Sequence, residues 1–185
     1  MKQALIVIDV QESFRHRPYF TDAEVPQFLA NVQGLINRAR ARDIPVVQVF
    51  HREAGGAGNP FSEASGKVRT MTGLSLSPDV IIYKEVHSAL FGAATDGTPL
   101  LEWLRARGID ELLITGIRTE QCCETTTRHA SDLGFQVRYV SDATLTFPMR
   151  TRAGREVSAA ELRERTELVL QDRFAQVVAC ATTLA

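Results

Sequence analysis

Short runs of apolar residues alternate with helical patterns along this chain, and this alternation limits the fold more than any other feature. The first run, Ala4 to Ile8, is apolar throughout, which is typical of a parallel strand covered on both faces. Between the runs, apolar residues recur at helical spacing, as they do from Pro26 to Ala41. Strands that alternate with helices predict one parallel sheet with helices on both faces. The predicted strands cover residues 4–8, 44–50, 80–83, 111–115, 136–140 and 174–181.

The length of the chain suits one domain, since 185 residues can enclose a single hydrophobic core. No internal repeat or low-complexity linker divides the sequence. We therefore expect residues 1–185 to form a single-domain, three-layer α/β/α structure with a six-stranded parallel sheet in a Rossmann-like arrangement.

Charge and cysteine content argue against several classes of protein. The formal net charge is −1 and no basic cluster is present, so neither nucleic acid nor an anionic membrane is expected as a partner. Three cysteines, two of them adjacent, do not make a disulfide framework. The sequence shows no signal-peptide pattern and no apolar run long enough to span a bilayer. These features predict a cytoplasmic protein, in which a free thiol can persist.

The segment from Leu112 to Ala130 contains a candidate nucleophile. An apolar strand ends at Gly116, and Thr119 is a good N-cap for a helix that begins at Glu120. Cys122 then occupies the first helical turn, where the helix dipole and unpaired N–H groups favour a thiolate. The alternative is a buried structural cysteine, which is common.

Two more candidates stand at strand ends. Asp9 ends the first predicted strand and Lys84 follows the third. Because parallel strands all end on one side of a sheet, Asp9, Lys84 and Cys122 can meet there. In that arrangement the thiolate attacks a carbonyl carbon, the acid transfers a proton to the leaving nitrogen, and the ammonium holds both groups. Otherwise Asp9 could bond the following loop and Lys84 could be a surface lysine.

Three segments of the chain resemble the isochorismatase-like cysteine hydrolases. The most specific of them matches the pattern G-x-x-T-x-x-C-x-x-x-T, and the resemblance extends over nearly the whole chain. The segments are Leu5-Ile-Val-Ile-Asp9-Val-Gln11, Tyr83-Lys84 with Ser88-Ala89, and Gly116-Ile-Arg-Thr119-Glu-Gln-Cys122-Cys-Glu-Thr-Thr126.

The resemblance implies a six-stranded parallel fold in a homodimer or homotetramer. It implies Cys122 as nucleophile, Asp9 as general base and acid, and Lys84 as the group that orients them. It also implies a cis peptide bond between Ile117 and Arg118. The backbone N–H groups of Arg118 and Cys122 would then form the oxyanion hole.

Metal ligands are not expected. Nicotinamidases of this family carry an Asp-x-His and a further His as ligands after the second strand, whereas here only His51 stands in that region. The four histidines, His16, His51, His87 and His129, show no ligand spacing. No cofactor is expected either.

The candidate substrate-binding residues surround the strand ends. The long irregular stretch at 54–79 is expected to form one wall of the site, since loops of this length are usually functional or disordered. Arg118 could bind a substrate carboxylate through a bidentate pair, or it could face outward. The candidates are Gln11, Phe14, His51, His87, Phe91 and Arg118.

Three functions fit these patterns to different degrees. The leading hypothesis is hydrolysis of an amide, ureido or imide C–N bond in a small molecule through a thioester. The second is hydrolysis of the vinyl ether of isochorismate, which needs no covalent thiolate. The third is a flavodoxin-like binding module, which is disfavoured because no phosphate-binding G-x-G-x-x-G follows a strand.

Overall fold

The structure, a computed structural model, describes residues 1–184 and consists of a sheet between two layers of helices. The helices are α1 (Val25–Arg40), α2 (Leu100–Ala106), α3 (Glu124–Asp132) and α4 (Ala159–Leu170). The strands are β1 (Gln3–Ile8), β2 (Val46–His51), β3 (Val80–Lys84), β4 (Ala93–Ala94), β5 (Glu111–Ile117), β6 (Gln136–Leu145), β7 (Met149–Arg150), β8 (Glu156–Val157) and β9 (Gln176–Val178).

The central sheet has the strand order β4-β3-β2-β1-β5-β6-β9. Its pairs are parallel except at β4, so the predicted parallel α/β fold is confirmed and the predicted strand count is one too low. The additional strand is only two residues long, and it runs antiparallel to β3 with Ala93 beside Tyr83. Such a short edge strand leaves no periodic pattern in the sequence.

Side chains of β1 alternate between the two faces of the sheet and so determine where the core lies. Leu5 and Val7 pack on the face covered by α1. Ala4, Ile6 and Ile8 pack on the opposite face, among apolar residues of α2, α3 and α4. Because both faces of the sheet are covered, the central strands are apolar throughout.

Two predicted strand ends are wrong, both near the sheet edge. β6 continues to Leu145, five residues beyond the predicted end at 140, and its register against β5 shifts between Ile114 and Gly116. β9 spans only Gln176–Val178, because it pairs with β6 over three residues and the chain then turns into a 3₁₀ helix at Cys180–Thr182.

No helix in residues 1–184 is both long and apolar enough to cross a membrane.

Candidate active site

Asp9, Lys84 and Cys122 meet at the carboxyl edge of the sheet. The Lys84 Nζ donates to Asp9 Oδ2 at 2.7 Å and to Cys122 Sγ at 3.4 Å. Strand order explains the meeting, because Asp9 follows the central strand β1, Lys84 ends β3, and Cys122 follows β5, the other neighbour of β1. Asp9 itself turns out of β1 with a φ of 53°, in the left-handed region that non-glycine residues seldom adopt.

The pKa of the Cys122 thiol is shifted upward, whereas the sequence predicted a shift that favours the thiolate. Burial first, and then the Asp9 carboxylate, raise the pKa of Cys122 to about 12, although Lys84 opposes the shift. Burial alone would lower the pKa of Lys84, but attraction to Asp9 and Cys122 outweighs it and the net shift is upward. The resting site therefore holds a neutral thiol beside an ion pair.

The two oxygens of Asp9 differ in their hydrogen bonds. Its Oδ2 accepts from Lys84, whereas Oδ1 is buried and has no hydrogen-bond partner among residues 1–184. Most buried polar side-chain atoms in native proteins have a hydrogen-bond partner, and a catalytic role is one explanation for an oxygen that has none.

The turn that carries Cys122 is not the predicted capped α-helix. Residues Thr119–Cys123 form a π-helix, and α3 begins only at Glu124. Thr119 caps no helix, since its hydroxyl lies 2.8 Å from that of Thr144 on β6 and its carbonyl accepts from the Tyr139 hydroxyl. Single turns of π-helix occur frequently at functional sites. Contacts with β6 therefore hold the turn in place. They could not be predicted from the local sequence around Thr119.

The peptide bond between Ile117 and Arg118 is cis, as the family resemblance implies. The Arg118 guanidinium is not directed into open solvent, because only 6% of the residue is exposed. It pairs with Glu120 at 3.0 Å and its Cζ lies 4.8 Å from the centre of the Tyr19 ring. Its Nε is buried without a partner within the described part of the chain.

The structure brings some of the predicted substrate-binding residues to the triad and separates others from it. His51 lies beside Lys84, with 3.4 Å between Nδ1 and Nζ. Gln11 uses its amide on the backbone of His51, accepting from N–H and donating to C=O. Phe14 is buried in edge-to-face contact with Phe61.

The remaining two lie on the loop after β3. His87 is exposed, and its charge contributes to the lowered pKa of His51. Phe91 is 72% exposed and stacks on His129, with 4.6 Å between ring centres. It borders a cavity of about 530 Å³ whose lining also includes Lys84 and Val86. Neither Asp9, Cys122 nor His51 lines this cavity. Within the stretch 54–79, the Phe61 ring contacts that of His51.

Two groups in the site received no role from the sequence. Thr126 accepts a hydrogen bond from Ala89 N–H at 3.0 Å, so α3 is tied to the loop after β3. The final threonine of the family pattern is Thr126, and this position could have marked it as part of the site. Glu53, whose Oε1 lies 3.5 Å from His51 Nε2, had no comparable signal because it lies just beyond β2. No cluster of three or more His, Cys, Asp or Glu side chains suited to a metal ion occurs in residues 1–184.

Comparison with known proteins places the chain in a family. A family model described as the Isochorismatase domain matches residues 3–175. The chain therefore belongs to the isochorismatase family, which is a family of hydrolases.

Individual relatives resemble the chain over most of its length. Ureidoacrylate amidohydrolase RutB of Stutzerimonas stutzeri is 30% identical, over 76% of this chain and 68% of its own. Nicotinamidase 3 of Arabidopsis thaliana is 28% identical, over 96% and 84%. A solved structure of a cysteine hydrolase from Pseudomonas syringae superposes with a TM-score of 0.85 at 25% identity, covering 99% of this chain and 91% of the other.

Proposed function

We propose that this protein hydrolyses a C–N bond of an amide, ureido or imide group in a small molecule, with Cys122 as the nucleophile. The observation that carries the proposal is the unpartnered Asp9 Oδ1 in a buried cluster with Lys84 and the Cys122 thiol. A protonated thiol needs a base, and Asp9 is the carboxylate in this cluster.

Acylation then follows from the positions of the three groups. Asp9 accepts the proton of the Cys122 thiol while the sulfur attacks the carbonyl carbon of the substrate. The carbonyl oxygen of the substrate gains negative charge, which the N–H groups of Arg118 and Cys122 stabilise as the proposed oxyanion hole. Asp9 next donates its proton to the leaving nitrogen, the C–N bond breaks, and ammonia, an amine or, from an imide, an amide departs. A thioester with Cys122 remains.

Deacylation repeats the same steps with water. Asp9 accepts one proton of the water while the water oxygen attacks the thioester carbon. The C–S bond then breaks, and the proton returns to the sulfur, so that the products are a carboxylic or carbamic acid and the free thiol. Throughout both half-reactions, the Lys84 ammonium holds Asp9 and the sulfur in place.

Similarity to relatives supports the bond class that we propose. RutB is named an amidohydrolase and the Arabidopsis relative a nicotinamidase, and both names refer to amide or related C–N bonds. A binding module would have little use for this cluster, because a buried ion pair rarely stabilises a fold better than apolar residues do.

A panel of amides, ureides and imides tests the bond class, assayed for ammonia release and, where hydrolysis frees an amine or an amide instead, for loss of substrate by chromatography. We expect turnover of at least one member and its loss in Cys122→Ala. Mass spectrometry of enzyme quenched during turnover should show an acyl adduct on Cys122. Isochorismate turnover that survives in Cys122→Ala would instead support the vinyl-ether reaction.

A further inference from the structure

Lys84 makes three polar contacts, although the proposed reaction uses only two of them. An ammonium group has three N–H donors and no acceptor. Two donors are directed to Asp9 and Cys122, and the third group within reach is the Nδ1 of His51 at 3.4 Å. The side chain of Lys84 is 0% exposed, so its ammonium is removed from bulk solvent. Among the described residues, the His51 Nδ1 is therefore the candidate for the third contact of the ammonium.

The His51 ring is held in place from several sides. The Gln11 amide pairs with both backbone groups of His51, at 2.8 Å and 3.0 Å. The ring contacts Phe61 with 5.8 Å between centres. Its second nitrogen, Nε2, lies 3.5 Å from Glu53 Oε1, and the same oxygen lies 3.4 Å from Arg17 Nη2. These contacts fix which nitrogen faces Lys84 and which faces Glu53.

We propose that His51 is a positioning residue whose unprotonated Nδ1 accepts the third N–H of Lys84 and so aims the ammonium at Asp9 and Cys122. In this role the ring is neutral and carries its proton on Nε2, directed to Glu53. The inference rests on the proposed function, because it acts through the role assigned there to Lys84.

Protonation of His51 would undo this arrangement. A proton on Nδ1 converts the acceptor into a donor and sets two cations side by side. Burial and the charge of Lys84 lower the pKa of His51, with a smaller contribution from His87, whereas Asp9 and Glu53 oppose the shift. The ring therefore stays neutral below its ordinary pKa of about 6.5, and activity should fall only at more acidic pH.

Nitrogen-15 NMR of the histidine side chains tests the proposal without a substrate. We expect the neutral His51 ring to be protonated on Nε2, with a titration midpoint below the ordinary histidine value of about 6.5. In Lys84→Met the His51 midpoint should shift upward, because one neighbouring cation is gone. A ring protonated on Nδ1, or a wild-type midpoint at or above about 6.5, overturns the proposal. The wild-type spectrum decides the question even if Lys84→Met does not fold.

Two substitutions at His51 test its effect on turnover of the amide that the substrate panel identifies. In His51→Asn, the amide oxygen can take the δ position of Nδ1 and cannot titrate. We expect it to keep kcat within about tenfold and to lose the acid-side inflection, whereas His51→Ala loses roughly 100-fold, mainly in kcat. His16→Asn should match the wild type.

Equal losses in the two His51 variants would contradict the role of Nδ1 as acceptor. A large rise in KM with kcat unchanged would show that His51 binds substrate instead. If no panel member is turned over, the proposed function fails while the NMR result still stands, so the two failures remain distinguishable.

Discussion

Lys84 and Asp9 form an ion pair that is completely removed from solvent, with 2.7 Å between Nζ and Oδ2 and neither side chain exposed. Removing two charges from water costs several kcal/mol per ion, and their attraction seldom exceeds that cost by much. Stability alone is therefore a poor explanation for this pair. Its contact with the Cys122 sulfur instead connects the pair to the chemistry proposed for the site.

Breaking the ion pair should be costly for folding. Lys84→Met leaves the Asp9 carboxylate buried without a cation, and we expect a loss of about 3–5 kcal/mol in the free energy of unfolding. Lys84→Met with Asp9→Asn should recover much of that loss but no activity. Urea unfolding followed by circular dichroism measures both, and Lys2→Met, at an exposed lysine, is the control. A double variant no more stable than the single one would contradict this view of the pair.

Alkylation of Cys122 should follow the raised pKa of its thiol. Because that pKa is about 12, the rate with iodoacetamide should keep rising above about pH 10, where the rate of an ordinary thiol has levelled off. Lys84 lowers the pKa, so Lys84→Ala should move the rise to still higher pH. Rates are best measured in a variant with Cys123→Ala and Cys180→Ala, which leaves one thiol. A plateau below pH 8 would mean that the resting enzyme holds a thiolate.

The two adjacent cysteines should behave differently. Cys122 contacts Lys84, whereas Cys123 is completely buried among apolar residues on the face covered by α2, α3 and α4. Cys122→Ala should abolish hydrolysis and leave the fold intact. Cys123→Ala should keep most of the activity and lose about 1–2 kcal/mol of stability through lost packing. Peptide mapping after substoichiometric iodoacetamide locates the label. Label on Cys123 would show that Cys122 is not the reactive cysteine.

Gly116 should tolerate no side chain. Its φ is 130°, and a Cβ at this position would lie 2.0 Å from the Ile8 carbonyl oxygen on β1. We expect Gly116→Ala to destabilise the fold by more than about 3 kcal/mol, since both strain and a backbone clash arise. Gly134→Ala is a matched control, because that glycine also has a positive φ, 87°, but open space around it. It should lose only about 1–2 kcal/mol. Equal losses in thermal unfolding would show that φ alone matters.

Catalysis is expected to be independent of metal. Residues 1–184 offer no cluster of three metal-binding side chains, and the proposed steps use the side chains of Asp9, Lys84 and Cys122 with backbone N–H groups. Dialysis against a strong chelator should leave kcat unchanged. Activity that disappears on chelation and returns with zinc or another divalent ion would require a different mechanism.

The sequence by itself determined the order of the elements and the identity of the clustered groups. The apolar run before Asp9 and the spacing from Gly116 to Cys122 are local patterns, and the strand ends of a parallel sheet must lie on one side. These patterns were enough to predict the α/β fold and to make Asp9, Lys84 and Cys122 candidates. The resemblance to a known family then selected them as a triad, and the structure places them in contact.

Tertiary structure alone decided the protonation of the thiol, the shape of its turn and the environment of His51. The pKa of Cys122 depends on burial and on Asp9, 113 positions earlier in the chain, so the local helix argument gave the opposite direction. Thr119 resembles a helix cap in sequence, yet it bonds to Thr144 on β6. Desolvation and long-range contacts are properties of the packed chain, and no local sequence pattern records them.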